Sequence, residues 1–266
     1  MPARRLPVLV PVRLPGPGRR RCARRAGGGG GPAGLTPYRG TKPARRGGGR
    51  PWPPPRPTAK GPTMTRVIAG AAGGRRLAVP PGTGTRPTSD RAREGLFSTW
   101  QSLLGGLDGL RVLDLYGGSG AVGLEALSRG AAHVLLVESD PRAARTIREN
   151  ARTVGLPGAE IRAARAEQIA AGPPPGQPYD VLFLDPPYAV TDDGLREILL
   201  TLRAGGWLAE EALVTVERST RGGDFDWPEG FAALRARRYG EGTLWYGRAA
   251  PTRTDVPADL PSACES

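Results

Sequence analysis

The sequence predicts an α/β protein of Rossmann-like type: a mostly parallel seven-stranded sheet wrapped by helices, with an antiparallel hairpin at one edge and a small hairpin-helix extension before it. Three observations predict it. From Arg111 onward, short apolar runs alternate with segments of helical period, the pattern of strands joined by crossover helices. The glycine-rich stretch Gly117-Gly118-Ser119-Gly120 falls where the first run gives way to the first helix. After Glu217 the rhythm changes, and two strand-like segments follow one another with no helix between them.

Within residues 64–108, Arg66-Val67-Ile68-Ala69-Gly70 and Arg75-Arg76-Leu77-Ala78-Val79 read as a hairpin around Gly73-Gly74. Thr88, Ser89 and Asp90 supply candidate caps for a helix on which Leu96, Trp100, Leu103, Leu104 and Leu107 share one face. Residues 109–249 hold the main domain. Its first strand spans 111–116 and leads into a helix that runs through Leu127 and stops at Gly130. Val134 to Val137 form the second strand, which ends at Glu138. Asp140 then caps a helix with Pro141 at its first position, where the missing N–H costs nothing. Ile147, Ala151 and Val154 recur at helical spacing, and Gly155 closes that helix. Ile161 marks a short third strand, 166–171 a brief helix and 180–184 the fourth strand. A helix over 193–202 turns Leu195, Ile198, Leu199 and Leu202 inward. Leu213 to Glu217 is the fifth strand, and 231–238 and 243–248 make the edge pair across Tyr239-Gly240-Glu241-Gly242.

The formal charge of +13 is unevenly placed. Residues 1–63 carry 13 Arg and 2 Lys with no acid, so this segment holds +15 and the remainder sums to −2. The basicity therefore belongs to the tail and does not mark the folded part as nucleic-acid-binding. The tail is mostly Pro, Gly, Arg and Ala, with too few apolar side chains to offset chain entropy, and is predicted to be disordered. Residues 250–266 read as a second, shorter disordered tail. A signal peptide does not fit, because the apolar stretch 6–12 is short and broken by Pro7 and Pro11, nor does a transit peptide, because amphipathic periodicity is lacking and Pro is scattered throughout. Two readings of residues 1–63 stand side by side: an RNA-attracting tail, or an over-extended reading frame with Met64 as the true start. Cys22 and Cys264 fall in the two tails and support neither a disulfide framework nor a thiolate metal site. The lone His133 opens a strand without Cys or His neighbours, which argues against zinc or a His-based triad. No apolar run is long enough to span a bilayer, and a soluble cytoplasmic protein is expected.

Asp114-Leu115-Tyr116-Gly117-Gly118-Ser119-Gly120 places a carboxylate inside a strand and three glycines in the turn entering a helix. There the backbone must bend tightly and let a nucleoside approach. Gly118, Gly120 and Gly123 have the G-x-G-x-x-G spacing, and Glu138, followed by Ser139, stands where an acid binds ribose hydroxyls. The turn alone suits NAD or S-adenosylmethionine. Asp114 favours the latter, whose amino-acid end is cationic. More specific is Asp185-Pro186-Pro187-Tyr188, directly after the apolar run Val181 to Leu184. An exocyclic amine of guanine or adenine is a poor nucleophile, because its lone pair is delocalised into the ring. The Asp185 carboxylate and the Pro186 carbonyl can accept its two N–H bonds and expose the lone pair, with Pro186 and Pro187 fixing backbone direction. Tyr188 offers a face on which a base can stack. Methyl transfer from a sulfonium is then a direct displacement that needs no metal.

Three stretches carry a family resemblance: Thr85-Arg86-Pro87-Thr88-Ser89-Asp90-Arg91 with Arg93-Glu94 and Leu96-Phe97; Leu113 to Gly120 running on through Gly123 to Ala131; and Leu184-Asp185-Pro186-Pro187-Tyr188. Over about residues 65–248 the chain resembles the bacterial RsmD-type family of small-subunit ribosomal RNA guanine-N2 methyltransferases. The first stretch separates this family from the DNA adenine methyltransferases that share the last. The resemblance implies a class I methyltransferase sheet, S-adenosyl-L-methionine as donor, and a guanine N2 of 16S rRNA, in the 30S subunit or an assembly intermediate, as acceptor. A monomer is expected. Asp114, Tyr116, Gly117, Gly118, Ser119, Gly120, Glu138, Ser139, Arg165 and Ala166 are the expected cofactor residues, and Asp185, Pro186, Pro187 and Tyr188 the catalytic ones.

Two departures stand out. Gly118 replaces the family's common Ala, and Arg165-Ala166 stands where related methyltransferases carry an Asp or Asn for the adenine amine. Arg165 cannot accept that hydrogen bond, so the backbone around Ala166 is the expected substitute. Arg75, Arg76, Arg86, Arg91 and Arg93 cluster in the hairpin and helix as candidate phosphate contacts. The rival readings are a DNA adenine-N6 methyltransferase, an NAD(P)-dependent oxidoreductase that leaves Asp185 to Tyr188 unexplained, and an RNA-binding assembly factor that holds S-adenosylmethionine without turnover.

Overall fold

The computed structural model describes residues 64–80 and 89–251. The expected disorder of residues 1–63 and of all but the first two of residues 250–266, and the part of the family stretch before Ser89, lie outside the described residues. Two short strands, β1 (Met64–Arg66) and β2 (Arg76–Ala78), pair antiparallel, and α1 (Asp90–Leu104) follows. The main domain then runs β3 (Arg111–Leu115), α2 (Ala121–Ser128), β4 (His133–Glu138), α3 (Pro141–Val154), β5 (Ala159–Ala163), α4 (Ala166–Ala170) and β6 (Tyr179–Leu184). It ends with α5 (Asp192–Ala204), β7 (Leu208–Ser219), β8 (Phe231–Tyr239) and β9 (Gly242–Ala249). The seven-stranded sheet has the order β5-β4-β3-β6-β7-β9-β8. It is parallel from β5 to β7, while β9 lies antiparallel to both β7 and β8. The expected mostly parallel sheet with an antiparallel edge pair is thus present. Among the described residues, no helix is long and apolar enough to cross a membrane.

Local chemistry sets the helix ends. The Ser89 hydroxyl accepts from the Ala92 N–H to cap α1, and the Asp140 carboxylate accepts from Arg142 to cap α3 ahead of Pro141. Gly155 closes α3 in the left-handed region. Left-handed Gly105 likewise ends α1 two residues before Leu107, which the helical spacing had assigned to the helix; its side chain is still buried against the same core. The fifth strand of the main sheet is longer than expected. Ala209, Glu210 and Glu211 carry no apolar alternation, yet they continue β7 through a register irregularity opposite Tyr179 and Val181.

The sheet has a hydrophobic cluster on each face. Residues of α1, α2 and α3 pack on one, and residues of α4 and α5 on the other. On the first face Trp100 is fully buried, meets Phe97 and Phe183 edge-on, and donates its indole N–H to Thr215 at 2.9 Å. This places α1 across β6 and β7.

The hairpin and α1 are fastened to α2 by buried charge. Glu125 and Arg93 both have fully buried side chains, 3.3 Å apart. Glu125 also accepts from Arg129 at 2.6 and 2.9 Å and from the Ile68 N–H at 3.1 Å. Arg93 donates to the Arg66 carbonyl, Thr65 and Asp90. Burial lowers the Arg93 pKa, and the charges of Glu125 and Asp90 oppose that shift. Beside this pair, Ser128 binds the hairpin turn: its hydroxyl accepts from Ala72 and donates to Ala69, and its carbonyl accepts from Ala71. A Cβ at Gly70 would fall 1.8 Å from that carbonyl, so only glycine fits. Removing one member of a buried ion pair strands the other. Arg93→Met is expected to lower the unfolding free energy by ~3–5 kcal/mol in a urea titration, and to raise proteolysis of the hairpin before that of the main domain.

Candidate active site at the carboxyl edge of the sheet

β3 has β4 on one side and β6 on the other, so the strand order reverses about it. A crevice opens at such a point. Here it is a cavity of about 600 Å³. From the turn after β3, Asp114, Tyr116, Gly117, Gly118 and Ser119 line it; from the end of β4, Glu138, Ser139 and Asp140 do so. Arg165, Ala166 and Glu167 close it at the start of α4, and Asp185 and Pro187 face it from the end of β6. Three of the expected residues are not on its wall. Gly120 shapes the turn from behind, in the left-handed region, where a Cβ would come within 3.0 Å of Ile147. Pro186 is buried, and Tyr188 is 74% exposed on a smaller cleft that also involves Asp192, Arg218 and Phe225.

The turn is held from several sides. One oxygen of Glu138 accepts from the Gly118 N–H at 2.9 Å and the other from the Asp140 N–H at 2.8 Å. A carboxylate has lone pairs beyond these two, so Glu138 can still take hydroxyl donors. Asp114 is buried and accepts from the Gly123 N–H at 3.0 Å. Burial pushes its carboxyl up from 3.8 to about 7; the Gly123 hydrogen bond opposes this, and the charge of Glu138 adds to it. Tyr116 has φ 67°, rare for a residue with a side chain, and its hydroxyl is buried without a hydrogen-bond partner among the described residues. Burial first, and then Glu167, push that phenol to about 12. Gly123 brings α2 close to β4, since a Cβ there would meet Val134 and Leu136 at 2.8 Å.

Residues 65–248 match the family model described as Conserved hypothetical protein 95. The chain is 38% identical over 168 residues to ribosomal RNA small subunit methyltransferase D of Escherichia coli K12, which covers 63% of this chain and 81% of that one. It is 37% identical over 164 residues to the Haemophilus influenzae protein of the same name, with 60% and 81% covered. This chain belongs to the small-subunit ribosomal RNA methyltransferase D family. Among solved structures, an Escherichia coli protein described as a candidate methyltransferase is similar at TM-score 0.62 and 32% identity, over 71% of this chain and 100% of that one. A hypothetical protein of Thermus thermophilus follows at TM-score 0.55 and 34% identity, over 68% and 98%.

Against this family background the expected RNA-contact set needs correction. Arg93 is not available to RNA: it is fully buried and its charge is compensated by Glu125 and Asp90. Arg75 is exposed, but its guanidinium donates to the Thr153 and Val154 carbonyls at 2.6 and 2.7 Å and so caps the end of α3. Arg76 and Arg91 are exposed, and Arg86 lies outside the described residues.

Several residues of the site carry no motif in the sequence. Val79 and Pro80, just beyond the hairpin, line the cavity, and so does Glu167. Asn150 on α3 holds the turn and the hairpin together: its amide donates to the Ser119 and Ala78 carbonyls and accepts from the Ala78 N–H, each at 2.8 Å. The available signal was a polar residue between Ile147 and Val154 on the buried stripe of α3.

A carboxyl group held above its unfolded value favours the protonated fold. Through Asp114, the ligand-free protein is therefore most stable below pH 3.8, the unfolded value. It loses that contribution as pH rises to about 7 and loses no more beyond. Asp114→Asn is expected to flatten this segment of the stability–pH curve in thermal unfolding; an unchanged curve would show that Asp114 titrates normally.

Proposed function

We propose that the protein transfers a methyl group from S-adenosyl-L-methionine to the exocyclic N2 of a guanine in 16S rRNA, with guanine 966 the position implied by the resemblance. The observation that carries this reading is that Asp185 faces the same cavity as the glycine turn. The amine-activating carboxylate and the donor site thus share one enclosure. The residues present fit the donor. The buried carboxyl of Asp114 suits the cationic amino-acid end, Glu138 suits the ribose hydroxyls, and the 164–167 segment forms the wall beside them. When bound, S-adenosyl-L-methionine supplies an electrophilic methyl on a positive sulfur.

The protein's own task is placement. The Asp185 carboxylate accepts one N–H of the guanine amine and the Pro186 carbonyl the other, so that the nitrogen lone pair points at the methyl carbon. The donor sulfur would keep the electron pair of the methyl bond it gives up, and the excess proton on the methylated nitrogen would pass to Asp185 or water. The Pro187 carbonyl accepts from the Val190 N–H at 2.9 Å, which closes the turn and fixes the direction of the Pro187–Tyr188 peptide just after the Pro186 carbonyl. Tyr188, exposed beside Arg218, stacks on the base outside the donor cavity. The substrate class is supported by the names of the two relatives, each spanned over 81% of its length. The working substrate is the 30S particle or an assembly intermediate, the enzyme acts as a monomer in the cytoplasm, and the step uses no metal.

Incubating 30S particles from a strain lacking the gene with labelled donor, then mapping the modified nucleotide, tests the assignment. Label on a guanine N2 of 16S rRNA is expected, and the absence of any RNA label would refute it. Asp185→Ala is expected to lower methyl transfer by at least ~10²-fold, the scale of a lost charge-stabilising group, with donor affinity retained in calorimetry.

A further inference from the structure

β8 is unlike the other strands of the sheet. Its seven successive residues Ala232 to Arg238 are all exposed, so both of its faces are open. The reason is local: residues 220–230 enter the strand without forming a helix that could cover it. Arg235 pairs in register with Tyr246 and Arg237 with Leu244. Partners in register share a face, and Tyr246 and Leu244 belong to the cluster packed beneath α1. Arg235 and Arg237 therefore project on the α1 side. At the end of the strand Tyr239 meets α1, since a Cβ at Gly95 would fall 2.0 Å from the Tyr239 hydroxyl. Arg91 lies four residues before Gly95, on the same helix face. Arg91, Arg235 and Arg237 are exposed, and none of them has an ion pair with a described residue.

We propose that Arg91, Arg237 and Arg235 form a track for the phosphodiester backbone of the RNA strand that carries the target guanine. This rests on the rRNA reading above and adds to it where the strand runs. The track begins at the edge of the sheet that carries the cavity. Ser219, at the end of β7, pairs with Gly242, and Gly242 with Tyr239, so the C-terminal end of β8 lies at the same edge as Asp185. β6 and β8 are three strand spacings apart, ~14 Å, a distance that a few nucleotides span. The cleft between Tyr188 and Arg218 adjoins Ser219 on the way. Arginines without an ion-pair partner among the described residues, on a folded part (64–251) whose 22 basic and 22 acidic residues cancel, mark one place for an anion, and three in sequence suit a polyanion better than a single phosphate.

Charge on an exposed edge strand also deters edge-to-edge pairing. Either sign serves that purpose, whereas only positive charge binds phosphate. The full chain and its variants R235K/R237K, R235E/R237E and, as a control on the outer face of α3, R145E/R152E are titrated with 16S rRNA across a range of salt. For R235E/R237E the slope of log affinity against log salt is expected to become shallower by ~1.4–1.8, at ~0.7–0.9 per lost phosphate contact. Donor affinity and monodispersity are expected to be unchanged, and the lysine pair to behave like the parent. An unchanged slope in R235E/R237E, or an equal loss in the α3 control, would overturn the track while leaving the rRNA reading intact, provided the parent still methylates 16S rRNA. A parent chain that neither binds nor methylates 16S rRNA would overturn both.

Discussion

The buried carboxylate of Glu125 is the constraint on which the arrangement depends. A lone charge in the interior is prohibitively costly, so its position dictates where its partners must be. Those partners come from three places: Arg93 on α1, Arg129 at the C-cap of α2 and the Ile68 N–H in the hairpin. None can move without stranding the acid, and together they join the extension to α2. The other end of α2 emerges from the glycine turn, where Asp114 accepts from the Gly123 N–H. One short helix thus links the extension to the wall of the cavity, and the hairpin is part of the site's framework rather than an appendage.

Asn150 completes the linkage from the opposite side. It binds Ala78 and Ser119 at once, so β2 and the turn are held at a fixed separation by a single side chain of α3. Val79 and Pro80 can line the cavity because β2 is pinned there. The two fastenings are independent, one ionic on α2 and one an amide on α3. A binding site placed between them is pre-organised on both walls, which lowers the ordering cost of taking up a ligand.

Much of this was legible in the sequence, and what was not has physical causes. Alternation of strand and helix, the Asp140-Pro141 start of α3 and the left-handed Gly155 at its end are local properties, and local chemistry decides them. The cofactor-side glycine turn and Asp185 were equally visible, because parallel strands deliver their carboxyl ends to one edge. Burial of charge was not. Arg93 and Arg91 are two residues apart and look alike in the sequence, yet a rotation of about 200° around the helix, at roughly 100° per residue, sends one into the core and leaves the other in water. Counting arginines therefore overstated the RNA surface of α1. Asp114 could be placed but not its partner, since the Gly123 N–H reaches it only once α2 is packed on β4.

The same separation of local from tertiary information explains the edge strand. The absence of a helix between β7 and β8 was readable, but its consequence is geometric. A crossover helix would have covered one face of β8 and forced apolar side chains there. Without it the strand carries Arg235, Arg237 and Arg238 where a covered strand would carry aliphatics. β9, one strand inward, keeps its burial because α1 lies over it, and Tyr246 and Leu244 are among its fully covered residues. The sheet thus changes from core to surface within a single strand spacing. That change, more than the net charge of the chain, determines where the folded part can meet a polyanion. On the proposed track the edge strand fixes the direction in which a bound strand lies.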